Sequence, residues 1–429
     1  MSNNAYLAAY PALAAGLPAQ DLVWLQQFRQ AGLKVFAAHG FPSLADEEWR
    51  YTNLSALNKT QFLPVGPQLP SAELLAPYRL ADARLLVLVN GHFVPQLSDL
   101  ADLPAGLTVL SLAQALTQQP DKVADYLGQA VSETEHSLVA FNNAWFADGL
   151  WLEIAAKQVL SKPIQILHWV TEADALAVTR QLVLVNAQAE AEIIETFAGN
   201  VDRYFTACVN ECFVAENASL IWHKLQLEAA NAQHFGGSYA RQAASSRFKH
   251  HNFAFGSLLA RSDIHSDLDT AAECSLNGLY LAGQRQHIDN HTRINHLKPY
   301  GISREFYKGV LDQRARAVFQ GRVVVATDAQ QTDSAMNNRN LLLSSDAEID
   351  TKPQLEIYAD DVKCSHGVTV GQLDEKSLFY LQSRGVDEAT AKHILTFAFA
   401  NEMVDKVENA SLQAWLQQQL LQHFPAINL

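Results

Sequence analysis

The sequence predicts a mainly β protein. An all-β body over about residues 151–373 lies between a mixed, mostly helical amino-terminal region (1–150) and a helical carboxy-terminal region (374–429). Three observations carry this reading. In the middle of the chain short apolar or alternating runs follow one another, among them PIQILHWV, RQLVLV, AEIIETFA, ASLIWHKLQL, ECSLNGLYLAG, RVVVATDA and PQLEIYAD. Long helical periodicity is scarce there, as expected of strands. Similar strand starts recur at Ala191-Glu192-Ile193 and Ala218-Ser219-Leu220, and again near Ala272 and Ala347. Repeats of roughly 20–30 residues suit a β-solenoid whose coils cover one another, and a two-sheet sandwich is the alternative.

At the amino end, Leu25, Phe28, Val35 and Phe36 within residues 20–38 fall on one side of a helical wheel and predict an amphipathic helix. The run RLLVLVNGHFVP (84–95) places two apolar stretches around Asn90-Gly91, a hairpin-turn signal because both residues accept positive φ. Residues 111–147 return to helical character. At the carboxy end Asp387 is placed to cap a helix over 387–407 with Ala391, Ile394, Leu395 and Ala398 on one face, and a second helix is predicted over about 411–422. Phe397, Phe399 and Met403 widen the apolar surface beyond one stripe. Ile394, Phe397, Phe399 and Met403 are therefore candidates for binding a partner, or for covering the β body.

With 48% hydrophobic and 18% charged residues the chain is globular. Its formal net charge of −14 argues against nucleic acid and against anionic membranes, both of which need concentrated positive surface. No apolar run approaches the roughly 20 residues of a membrane helix. The amino-terminal stretch lacks a basic segment and contains Pro11, so it does not read as a secretory signal. The four cysteines, Cys208, Cys212, Cys274 and Cys364, form no paired framework, and a reduced, cytoplasmic protein is expected.

Phosphate-cradling, dinucleotide-binding and nucleophile-elbow motifs are missing. Cys208 and Cys212 share a strand face two pleats apart and read as packed thiols. His287, Asp289 and His291 alternate and share a face if extended, which suits either a transition metal or a polar ridge. Cys364 and His366 in YADDVKCSHGVTVGQLD are also two apart. A thiolate beside an imidazole suits iron, zinc or an iron–sulfur cluster, but two ligands do not close a site. The remaining ligands would come from elsewhere in the chain, Asp360 and Asp361 included, or from a partner. A packed thiol beside a hydrogen-bonded histidine is the alternative.

The run GRVVVATDAQQTDSAMNNRNLLLSSDAEIDTKPQLEIYADDVKCSHGVTVGQLDEKSLFYLQSRG (321–385) resembles the core of the SufB/SufD family of iron–sulfur cluster assembly, and its TKPQLEIYADDVKCSHG portion resembles the SufD branch. EEWRYTNL (47–54) resembles the amino-terminal region of the same branch. The resemblance implies a right-handed parallel β-helix between helical ends. It implies a non-catalytic scaffold subunit that pairs with SufB through the β-helices and binds a SufC ATPase through its carboxy-terminal helices. His366, with Cys364 beside it, matches the interface position where a nascent cluster is held between the two subunits. A reduced flavin accompanies the assembled complex in this family, though no flavin motif is present here. A homodimer of the isolated chain is a further possibility. Two other functions compete: a β-helix enzyme acting on polysaccharide, and a free-standing metal-binding protein using His287, Asp289 and His291.

Overall fold

The computed structural model describes residues 4–131 and 137–423. The helical stretch expected over 111–147 includes 132–136, which lie outside the described residues. The remainder of that stretch forms helices Leu112–Gln118, Pro120–Ala124 and Ser137–Trp145.

From Asp148 onward the chain winds as a parallel β-solenoid of about eight turns, two strands to a coil. Alternate strands stack into one sheet of ten strands and one of nine. Each strand pairs in parallel with the strand one coil before it. Two strands of the amino-terminal region, one in each sheet, cover the first coil. Arg84–Val89 pairs in parallel with Ile164–Val170, and Leu107–Ser111 pairs antiparallel with Asp148–Ile154. The hairpin turn forms at Asn90-Gly91, with φ of 50° and 88°.

Of the alanine-led strand starts, Ala218 and Ala272 are corners of this solenoid, whereas Ala191 lies within the strand Glu190–Gly199, whose corner alanine is Ala189, and Ala347 follows no positive-φ residue. Gln188, Asn217 and Ala271 have positive φ, and each is followed by a fully buried alanine, Ala189, Ala218 or Ala272, before the next strand. A left-handed residue turns the chain sharply, and only a small side chain fits beneath the next coil at such a corner.

Strand alternation then sorts the side chains. Inward positions such as Val183, Ile193, Leu220, Ile264, Leu276 and Phe319 fill the lumen. Outward positions of the nine-stranded sheet, including Leu182, Val209 and Phe235, are covered by Leu25, Phe36, Leu116 and Phe141 of the amino-terminal helices. Outward positions of the ten-stranded sheet, including Leu225, Phe253, Leu279 and Val310, are covered by the carboxy-terminal helices Glu388–Val404 and Ala410–His423. Leu412, Leu416 and Leu420 are fully buried there, each stabilising by about 1.5–3 kcal/mol. The cap of the first of these helices is Asp387, which accepts from the Thr390 amide. Its buried stripe runs through Ala391, Thr396, Ala400, Met403 and Val404; of the expected face, Ala391 is buried, Ile394 and Leu395 are half-buried and Ala398 is exposed.

Two tyrosines are accommodated inside the lumen by glycines on the neighbouring strand. Gly278 stands beside Tyr307 and Tyr280 beside Gly309. A Cβ at Gly309 would lie 2.1 Å from the Tyr280 ring. Gly309→Ala is expected to cost about 1–3 kcal/mol by overpacking. Chemical denaturation checks this, and an unchanged midpoint would refute the packing account.

Candidate functional site

The last coil consists of Glu348–Ile357 and Lys363–Gly371, and each is bonded to a neighbouring strand on one side only. Every earlier coil is covered by the next. Here the lumen-facing positions open to solvent. Cys364 stands opposite Ser334 and His366 opposite Met336, so the two point from the same face of an edge strand. Cys364 rests half-buried against the luminal core and His366 is exposed. Burial pushes the Cys364 thiol up, against a backbone hydrogen bond from Ser334. Two residues apart on a strand, the side chains are spaced about 7 Å, so they do not share one ion but do share one open surface. Asp360 and Asp361 are both exposed, and Asp361 is held by Gln330 and Gln331 of the coil before. Ile357, Tyr358 and Val370 leave large apolar surface uncovered around this edge.

His287, Asp289 and His291 do fall on one face, the outward face of His287–His296. Their partners make the site an ion-paired junction. Asp289 binds the Arg261 guanidinium at 3.0 Å and His291 at 3.0 Å, and accepts from the Thr52 hydroxyl. Burial would raise the Asp289 carboxyl, but His291 and Arg261 outweigh it and hold it well below the usual range. Burial and Arg261 would lower His291, but Asp289 and Glu48 hold its pKa up. Arg261 therefore stands where a metal would compete for Asp289. It also lies 3.7 Å from the Trp49 ring centroid. Glu48, Trp49 and Thr52 of EEWRYTNL all dock here, so that motif is a clamp joining the amino-terminal region to the solenoid.

The apolar residues of the carboxy-terminal helices divide. Met403 is 1% exposed and belongs to this chain's own core, so it is not free for a partner. Phe399 packs under Lys308, whose ammonium lies 4.1 Å from the ring centroid. Ile394 and Phe397 are half-buried, and Phe379 and Tyr380 of the preceding helix Glu375–Ser383 are 71% and 58% exposed.

One group of side chains escaped the sequence reading. Among the described residues a single set of His, Cys and acidic groups has ligand atoms within 4.8 Å of one another: His168, Glu195 and Cys208, all buried in the lumen. Cys212 is the packed thiol the sequence predicts, but Cys208 has polar company. These residues are far apart in the chain, and only the coil register, hidden by a degenerate repeat, brings them together.

Two family descriptions match the chain. "SufBD protein N-terminal region" matches residues 1–166, and "SUF system FeS cluster assembly, SufBD core domain" matches residues 168–399. The chain belongs to the SufBD family. It is 34% identical over 405 residues to an iron–sulfur cluster assembly SufBD family protein of Synechocystis, covering 91% of this chain and 89% of that one. It is 31% identical over 403 residues to the iron–sulfur cluster assembly protein SufD of Escherichia coli, covering 92% of each. A chloroplastic protein of Arabidopsis thaliana is 29% identical over 91% of this chain and 84% of its own length. As a SufBD protein the chain is a component of iron–sulfur cluster assembly, and the parallel solenoid is the body on which that role is built. None of its helices is long and apolar enough to cross a membrane, among the described residues.

Proposed function

We propose that this chain is a non-catalytic scaffold subunit that pairs with SufB, binds the SufC ATPase, and presents His366, with Cys364 beside it, to a nascent iron–sulfur cluster shared with SufB. The carrying observation is the last coil. Its two edge strands lack outer partners, carry exposed Ile357, Tyr358 and Val370, and display an imidazole and a thiol on one open face. A bare strand edge of this kind is a template for another chain. Soft sulfur and borderline nitrogen donors suit iron and sulfide, and two donors call for further ligands from across an interface. The cluster is cargo here, and ATP hydrolysis falls to SufC.

The ATPase contact is assigned to the outer surface of the carboxy-terminal helices, at Ile394, Phe397 and Phe399 with Phe379 and Tyr380. Phe379→Asp is expected to release SufC while leaving the fold intact, since Phe379 is 71% exposed. The isolated chain can pair with a second copy through the same edge that SufB would cover.

Co-expression with SufB and SufC homologues, followed by anaerobic size exclusion with iron and sulfide analysis, tests the reading. Co-elution with bound iron and sulfide is expected. Elution of this chain alone would overturn it. In the assembled complex His366→Ala is expected to lower cluster content about tenfold or more with no change in melting temperature. Unchanged iron and sulfide would remove His366 from the ligand set.

A further inference from the structure

Inside the solenoid, well away from the last coil, four strands bring His168, Gln181, Glu195 and Cys208 to one point. His168 Nε2 lies 3.1 Å from Glu195 Oε1 and 3.2 Å from Gln181 Nε2. Cys208 Sγ lies 3.4 Å from Glu195 Oε1, 3.4 Å from Asn210 Oδ1 and 3.6 Å from Gln181 Nε2. Gln181 Oε1 is buried with no hydrogen-bond partner.

With the Gln181 amide oriented this way, Glu195 and the amide compete for one ring nitrogen. Protonated, His168 Nε2 serves Glu195 and confronts the amide hydrogens. Unprotonated, it serves the amide and turns its lone pair on the carboxylate. Reversing the amide turns Oε1 toward His168 and ends the competition, leaving four convergent donor atoms.

The convergence of these donors is what a cation at the centre would use, since the ligand atoms of His168, Glu195 and Cys208 lie within 4.8 Å of one another. Bonds of about 2.0–2.3 Å to N, O and S donors around a tetrahedral ion place neighbouring donors roughly 3.3–3.7 Å apart, close to the spacings found. Reversing the Gln181 amide, which leaves its shape unchanged, points Oε1 inward as a fourth donor and gives its nitrogen the vacated side. Glu195 is already held for one-oxygen ligation, because Asn210 Nδ2 and Trp222 Nε1 donate to Oε2 at 2.8 and 3.3 Å and leave Oε1 free to point inward. His168 is fixed by stacking on Phe197, at 4.3 Å between centroids and 9° between planes. Such outer partners orient ligands at metal sites. Lys224 also faces the group. Its ammonium donates to Ser262 at 2.9 Å and lies 5.6 Å from the Phe197 ring centroid, so it has partners of its own beside the group.

We infer that His168, Glu195 and Cys208, with Gln181 as fourth donor, form a luminal site for a divalent transition-metal ion, zinc or ferrous iron. Binding releases the thiol proton to solvent and leaves a thiolate, a carboxylate and the dication neutral together. The site is enclosed and distinct from the cluster position at the last coil. It serves to staple the first coils, as a closed structural metal does.

The test uses the full chain carrying Cys364→Ser and His366→Ala, so that the exposed pair cannot bind metal. The chain is refolded anaerobically with Co2+ or Zn2+, freed of loose metal with EDTA, and assayed by elemental analysis and absorption. About one ion per chain is expected, with tetrahedral cobalt bands and a thiolate charge-transfer band. Adding Cys208→Ser should abolish the charge-transfer band, and Cys208→Ser or His168→Gln should each weaken binding at least ~100-fold. Absence of retained metal, or retention unchanged by both substitutions, would overturn the site. If neither variant refolds, the parent chain decides. A melting temperature higher with Zn2+ than with EDTA supports the site, and equal values overturn it.

Discussion

Glu211→Ala is expected to destabilise the protein by about 3–5 kcal/mol, because it strands a buried guanidinium. Arg180 and Glu211 are fully buried and 2.6 Å apart, on neighbouring strands of the nine-stranded sheet. The Glu211 carboxylate also accepts from the amides of Gly128 and Ala130, at 2.8 Å each. Arg180 in turn donates to Asn142 and Asn143 of the helix Ser137–Trp145. This one pair therefore ties the solenoid to the amino-terminal region at two separate segments. With Glu211 gone, the guanidinium keeps its amide partners but loses its countercharge, and two backbone amides lose their acceptor. Denaturant unfolding of the variant measures the loss. Limited proteolysis is expected to cut first in the amino-terminal region. The double variant Arg180→Met, Glu211→Leu should recover a large part of the deficit, since neither charge is then left alone. A loss under about 1 kcal/mol in the single variant would show the pair to be dispensable.

Glu305→Gln is expected to stabilise the protein at pH 8 and above and to change little near pH 4–5. Glu305 lies in the lumen, 3% exposed, and burial pushes its carboxyl up to about 8, opposed by a hydrogen bond from Thr292. Its second oxygen has no partner. Between the unfolded value of 4.5 and the folded value of about 8, the folded chain holds a proton that the unfolded chain has lost. Stability therefore falls as pH rises through that window. Below it both states are protonated and glutamine resembles the neutral acid. At 1.36 kcal/mol per pKa unit the accumulated penalty above the window is on the order of 4–5 kcal/mol. Glutamine escapes it but places an unpaired NH2 at the second oxygen's position, giving back about 1 kcal/mol. Calorimetric melting of both proteins across pH 4–9 checks this. Parallel curves would mean that Glu305 ionises in the folded protein as freely as in the unfolded chain.

Much of the candidate site was legible before the fold was known. Cys364 and His366 share a face because two residues on a strand always do, and that geometry is local. Their openness was not legible, since it depends on there being no coil beyond Lys363–Gly371. His287, Asp289 and His291 were rightly placed on one face, but Arg261 arrives from the strand one coil earlier and Trp49 from more than 200 residues away. No pattern in the histidine run announces either. Phe397, Phe399 and Met403 were read as a widened apolar surface, and packing on the solenoid then took Met403 into the core and left Phe397 at its margin.

By itself the sequence determined the strand content of the middle zone, the Asn90-Gly91 turn, the Asp387 cap and the family motifs at 47–54 and 321–385, all of which are encoded by residues close together in the chain. Tertiary structure alone decided the coil register, the meeting of His168, Glu195 and Cys208, and the face of the helix Glu388–Val404 that is buried. The physical reason is that a solenoid pairs residues one coil apart through backbone hydrogen bonds that any sequence can make. The register is then set by the summed fit of small corner residues and luminal side chains across all the coils, which no single segment reveals.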